Sequence, residues 1–200
     1  MKRPRHSQSA HNSKSPSTLR LIGGKWRGRK LNFPAVEGLR PTGDRIRETL
    51  FNWLMADLPG ARCLDAFSGS GALGLEALSR GAQAATLVEM NPVAARQLQD
   101  NLKLLQCEQA EVINDSCLNW LARAPENAFD VVFLDPPFQQ NLWHETIALL
   151  DQRQWLKPEA AIYIETPRKL ALEVPQSWQL HREKHAGDVS YRLYYRQQPD

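Results

Sequence analysis

The chain has 200 residues, 42% hydrophobic and 24% charged, with a formal net charge of +3. That length accommodates one α/β domain with a full core and a small extension, and no apolar run approaches the ~20 residues a membrane span requires. The start, MKRPRHSQSAHNSKSPSTLR, lacks the apolar stretch of a secretory signal, so residues 1–18 read as a flexible basic arm.

Charge is unevenly placed. Lys2, Arg3, Arg5, Lys14, Arg20, Lys25, Arg27, Arg29 and Lys30 are nine of the 25 basic residues, and no Asp or Glu occurs among the first 30 positions. Such a block predicts a polyanionic partner, nucleic acid first. In GGKWRGRKLNF, Trp26 stands among Lys25, Arg27, Arg29 and Lys30; bases stack on such side chains, which favours RNA.

LRLIGGKWRGRKLNF reads as a short β-hairpin around glycines. In GLRPTGDRIRETLFNWLM, Ile46, Leu50, Trp53 and Leu54 recur at helical spacing, with Thr42 or Asp44 as the cap. From residue 61 strands and helices alternate: ARCLDAF, ALGLEALSRG, AATLVEM, PVAARQLQDNLKLLQ, AEVIND, SCLNWLARA, FDVVFLD, NLWHETIALLDQ and AAIYIET. SWQLHREKHAGDVSYRLYYR closes the chain as a hairpin turning at 186–188. Repeated βα units predict a mostly parallel sheet with helices on both faces and an antiparallel hairpin at one edge. The organisation expected is an arm at 1–18, an extension at 19–58 and the main domain at 59–200. Cys63, Cys107 and Cys117 lack CxxC spacing, which predicts reduced cysteines in a cytoplasmic protein. No His/Cys/carboxylate grouping has zinc spacing, so no metal is expected.

CLDAFSGSGALG places Gly69, Gly71 and Gly74 in GxGxxG order between a strand and a helix, and Glu89 ends the next strand. This also satisfies the dinucleotide fingerprint, so a nicotinamide oxidoreductase is one candidate. Asp65 argues against it, because a carboxylate there would oppose a pyrophosphate in a low dielectric. It would favour an ammonium group. S-adenosylmethionine has that ammonium, a sulfonium and a ribose but no phosphate, so Asp65, Phe67, Gly69, Gly71 and Glu89 form the expected donor site. Asp115, at the end of the third strand, is a further candidate, facing the adenine amino group or serving only as a helix cap.

Residues 135–138, Asp-Pro-Pro-Phe, follow the apolar run FDVVFL. The prolines cannot continue a ladder and fix the backbone rigidly. Methylating an exocyclic amine on a base requires acceptors that hold its N–H groups and aim its lone pair. The Asp135 carboxylate and Pro136 carbonyl suit that role, Pro137 stiffens the turn, and Phe138 offers a face to the base.

With these motifs the chain resembles the class I S-adenosylmethionine-dependent methyltransferases of Rossmann-like fold, and among them the bacterial 16S rRNA guanine-N2 methyltransferases. RLIGGKWRGRKL, LRPTGDRIRETLFNWL, CLDAFSGSGALGLEALSRGA, TLVEMN, FLDPPF and LHREKHAGDVSYRLY carry the resemblance, from about Leu19 to Arg196. It implies a guanine of 16S rRNA in the assembling 30S subunit as substrate and N2-methylguanosine as product; a monomer is expected. It also implies that Arg40, Thr42, Asp44, Arg45 and Arg47 close over the cofactor or touch RNA. Gly43 and Ser68 depart from the family's usual threonine and alanine. Three other readings compete: a DNA adenine-N6 methyltransferase, the oxidoreductase, and a non-catalytic RNA-binding assembly factor. The first lacks room for a target-recognition domain, and the intact motifs oppose the others.

Overall fold

The computed structural model describes residues 17–35 and 43–198; most of the basic arm, Arg40 and Thr42 lie outside the described residues. A two-stranded antiparallel ribbon, β1 (Ser17–Arg20) and β2 (Lys30–Phe33), precedes α1 (Asp44–Trp53). Five strands then alternate with helices: β3 (Arg62–Asp65), α2 (Ala72–Ser79), β4 (Ala84–Val88), α3 (Pro92–Leu104), β5 (Ala110–Ile113), α4 (Cys117–Leu121), β6 (Phe129–Leu134), α5 (Trp143–Gln152) and β7 (Leu156–Pro167). β8 (Trp178–Ala186) and β9 (Val189–Arg196) form the terminal hairpin. The large sheet has the order β5-β4-β3-β6-β7-β9-β8, parallel from β5 to β7 and antiparallel in the last two pairings. This is the expected Rossmann-like architecture.

The order reverses between β3 and β6, and in open α/β sheets ligands bind outside the carboxyl ends at that point. Asp65 ends β3 and Asp135 follows β6, so the topology brings the two predicted motifs together.

Side-chain alternation divides the core. Val131 and Phe133 join Leu75, Leu87 and Phe51 beneath α1, α2 and the N-terminal ribbon, while Val132 and Leu134 join Trp143, Ile147 and Trp155 on the other face. Fully covered parallel strands bury both faces, which is why FDVVFL is apolar almost throughout.

Two elements differ from expectation. β7 starts at Leu156 rather than 160: the ladder steps from Phe129↔Leu156 to Val131↔Ala161, with Glu159 at φ 62°. Pro158 lacks the N–H that regular pairing needs, and the irregularity absorbs it. α1 is preceded by Gly43 with no side-chain cap; Asp44 instead accepts a 2.6 Å bond from Arg47 in the first turn.

The extension is fastened to α2 through Glu76. This carboxylate is fully buried and accepts from the backbone N–H groups of Ile22 (2.9 Å) and Gly23 (2.7 Å) and from Arg80 Nε (2.8 Å). Arg47, 1% exposed, lies 3.5 Å from it and also donates to the Arg20 carbonyl. Glu76→Ala would remove the buried counter-charge of Arg47, leaving it only exposed Asp44, and would strip two ribbon N–H groups of their acceptor, a change that costs about 3–5 kcal/mol. The expected result is a lower denaturant midpoint at unchanged m-value in equilibrium unfolding.

Candidate active site

The glycine turn is built from the backbone inward. Gly69 and Gly71 have φ of 52° and 81°, in the left-handed region that side chains with a Cβ avoid. Gly74 serves close packing: a Cβ there would come within 2.2 Å of Leu87 Cδ2 and 3.2 Å of Asp65 Cβ. That proximity lets the Gly74 N–H donate to Asp65 Oδ2 at 2.9 Å. Asp65 is 2% exposed, and burial, with the Asp135 and Glu89 charges adding to it, pushes its pKa up to about 7 against the opposing pull of the Gly74 N–H.

Glu89 ties two loops together. One oxygen accepts the Gly69 N–H at 2.8 Å and the other the Asn91 N–H at 2.7 Å. Asn91 then caps α3, accepting from Val93 and Ala94, and Asn114 donates to the carbonyls of Glu89 and Met90. Ser68 donates its hydroxyl to the Asp65 carbonyl at 3.0 Å, so this departure from alanine is absorbed within the turn. Phe67 is half-buried against the α4/α5 side of the core. Asp115 stands at the start of α4, accepting from Ser116 N and Asn119 Nδ2 and pairing with Arg123, which is a cap-like role.

Across the crevice, Asp135 is half-buried and Pro136 buried. Pro137 (φ −55°, ψ 124°) leads into a 3-10 turn at Phe138–Gln140. The Phe138 ring, 36% exposed, packs 5.7 Å from that of buried Trp143 and keeps one side toward solvent.

The basic positions separate. Lys25, Arg27, Arg29, Lys30 and Arg45 are exposed. Trp26 is not a stacking platform: it is 8% exposed, belongs to the core, and its N–H is held by Ser79 Oγ. Arg47 is likewise removed from any RNA surface by its burial against Glu76 and Asp44. The ribbon's tip sits at the opposite end of the sheet from Asp135: Lys25 reaches Gln109, just before β5, and Arg29 donates to the carbonyl of Leu104 at the end of α3. Among the described residues no group of three or more His, Cys, Asp or Glu side chains could hold a metal ion, and no helix is long and apolar enough to cross a membrane.

Residues 19–195 match the family model described as conserved hypothetical protein 95. The chain is 55% identical over 180 residues to ribosomal RNA small subunit methyltransferase D of Haemophilus influenzae, covering 88% of this chain and 93% of the relative. Against the Escherichia coli protein of the same name it is 52% identical over 200 residues, 98% of this chain and 96% of the other. The chain belongs to the ribosomal RNA small subunit methyltransferase D family. A solved Escherichia coli methyltransferase superposes with TM-score 0.86 at 49% identity, covering 92% of this chain and all of that one. A Thermus thermophilus 16S rRNA N2 methyltransferase, in complex with AdoMet and guanosine, shares the fold at TM-score 0.69 and 20% identity, over 92% of this chain and 50% of that one.

Asn114, Trp143 and Glu165, which no sequence motif marks, also stand at this end of the sheet. Each is a polar or amphipathic side chain at the active end of an element, and that placement was the available signal.

The buried Asp65 carboxyl has a measurable consequence. Its folded-state pKa lies above the unfolded value, so its contribution to stability is complete below about pH 4 and lost as pH rises through about 7. The thermal midpoint of the ligand-free protein is expected to fall over that window, and Asp65→Asn to flatten the fall; calorimetry from pH 4 to 8 checks it.

Proposed function

We propose that the chain methylates the exocyclic N2 amine of a guanine in 16S rRNA within the assembling 30S subunit, with S-adenosylmethionine as donor. The observation that carries this reading is the placement of Asp65 and the glycine turn opposite Asp-Pro-Pro-Phe at the reversal of strand order. The names of close relatives support small-subunit rRNA as substrate. Three free, buried cysteines fit a reducing compartment, and we place the enzyme in the cytoplasm as a monomer.

The donor set fits this methyl donor. Carboxylates surround the turn, which suits an ammonium and ribose hydroxyls better than a pyrophosphate. Bound there, S-adenosylmethionine supplies an electrophilic methyl group. Asp65 faces the ammonium, Phe67, Gly69 and Gly71 shape the wall, and Glu89 keeps lone pairs for the ribose. Asp115 can share an oxygen with the adenine amine, and Thr42 belongs to the segment assigned to closure.

The acceptor side is positional. Asp135 and the Pro136 carbonyl accept the two N–H groups of the guanine amine, which draws its lone pair out of the ring and aims it. Pro137 holds the carbonyl's direction, and the exposed side of Phe138 takes the base. Asp135→Ala should retain S-adenosylmethionine binding while single-turnover methylation of undermethylated 30S subunits falls by about two orders of magnitude or more. Normal transfer by that variant would remove Asp135 from the amine.

RNA contact divides between two places. Arg45, exposed in the first turn of α1, is assigned to RNA beside the target base, as is Arg40. Lys25, Arg27, Arg29 and Lys30 lie at the amino ends of the strands, roughly 13–20 Å away at ~3.3 Å per strand residue, and meet RNA remote from the target base. Replacing Arg27, Arg29 and Lys30 by Gln should raise KM for 30S, leave the saturated single-turnover rate unchanged and lower the salt dependence of binding. An unchanged salt slope would take the tip out of the interface.

A further inference from the structure

A second carboxyl stands beside Asp135. The parallel ladder pairs Leu134 of β6 with Ile164 of β7, so the next residues, Asp135 and Glu165, stand side by side past its end. Glu165 is 5% exposed, and the two carboxyl groups are hydrogen-bonded to each other. Trp143 anchors this corner: its Nε1 donates to the Glu165 carbonyl at 2.7 Å while its ring supports Phe138. The strand end carrying Glu165 and the turn carrying the acceptor residues are thus held by one indole.

The titratable groups facing Glu165 are Asp135 from β6, Tyr163 on β7 itself and Tyr191, its partner on β9. Asp135 is in turn close enough to Asp65 for its charge to act there. Arg192, next to Tyr191, is committed to Glu183 at 2.8 Å and Thr166 at 3.0 Å. Two carboxyls in contact in so dry a corner cannot both be ionised and hold one proton between them. Burial, with the Asp135 charge adding to it, keeps the Glu165 carboxyl well above the usual carboxylate range.

We propose that Glu165 is a positioning residue for the transfer: its carboxyl donates to one Asp135 oxygen and turns the other toward the acceptor amine. This rests on the assignment of Asp135 to the amine. As the nitrogen lone pair forms the N–C bond, the S–C bond breaks and its electrons go to sulfur. The nitrogen is then cationic, and one of its protons passes to the Asp135 oxygen turned toward it. The pair now holds two protons and returns one to solvent through half-exposed Asp135 before the next turnover.

Glu165→Gln keeps a donor toward Asp135 but cannot ionise; Glu165→Ala removes both properties. Single-turnover rates on 30S subunits from pH 6 to 10, with S-adenosylmethionine affinity and thermal midpoint as folding checks, separate the possibilities. The wild type should lose rate at the alkaline end as the shared proton leaves. Glu165→Gln should stay within about threefold of wild type at neutral pH and lack the alkaline fall. Glu165→Ala should lose about tenfold or more in rate at unchanged KM. Independently of activity, infrared difference spectra at neutral pH should show a protonated carboxyl band that Glu165→Gln removes. Should Glu165→Ala not fold, the Gln variant and the infrared band decide. A wild-type rate and pH profile in Glu165→Ala, an alkaline limb retained in Glu165→Gln, or no such band would overturn the proposal. Loss of transfer in Asp135→Ala alongside a wild-type Glu165→Ala would overturn this role alone; full transfer in Asp135→Ala would remove the assignment beneath it.

Discussion

The bond from the Gly74 N–H to the buried Asp65 carboxylate sets the arrangement of the active end. It forms only because Gly74 has no Cβ, which lets α2 settle onto Leu87 and the end of β3. With α2 so placed, the turn through Gly69 and Gly71 closes tightly, and Glu89 locks it to the start of α3. The arrangement carries an electrostatic cost, since burial and the nearby Asp135 and Glu89 charges all oppose ionisation of Asp65. A cationic ligand relieves that repulsion, and an anionic one would add to it. The same crevice therefore selects the charge of its ligand before any shape is considered.

The extension is part of the same body. Glu76 on α2 gathers the ribbon's backbone and the side chains of Arg47 and Arg80 into a single buried cluster. The ribbon follows the flank of α2 and α3 from the mouth toward the amino ends of the strands, with Leu19 and Phe33 packed on Ala72 at one end and Lys25 beside Gln109 at the other. An elongated basic flank on a rigid mount suits a structured RNA with contacts well away from the target nucleotide.

The parallel strands and the two motifs were legible because each is local: an apolar run bounded by a turn, then glycines or prolines whose backbone limits speak for themselves. What was hidden depends on partners distant in sequence. Arg47 and Trp26 sit in basic segments and read as surface, whereas the informative residue is Glu76, a lone acid in a helix whose eight residues are all buried. Such a carboxylate demands cations and N–H donors, and α1 and the ribbon supply them. Glu165 was equally readable in principle, being an acid at the end of an apolar strand like Asp65 and Asp135. The fold's strand order is what brings it against Asp135. The early start of β7 could not be read because Pro158 argues against a strand unless the ladder's irregularity is known.

The reaction itself is tested most directly by identifying the nucleoside that accepts the methyl group. Tritiated S-adenosylmethionine would be offered with undermethylated 30S subunits, naked 16S rRNA and DNA, followed by digestion and chromatography. Guanine-N2 methylation of the small-subunit RNA predicts label in N2-methylguanosine of the 16S rRNA, with 30S particles preferred over naked RNA. Label confined to adenine in DNA would contradict it.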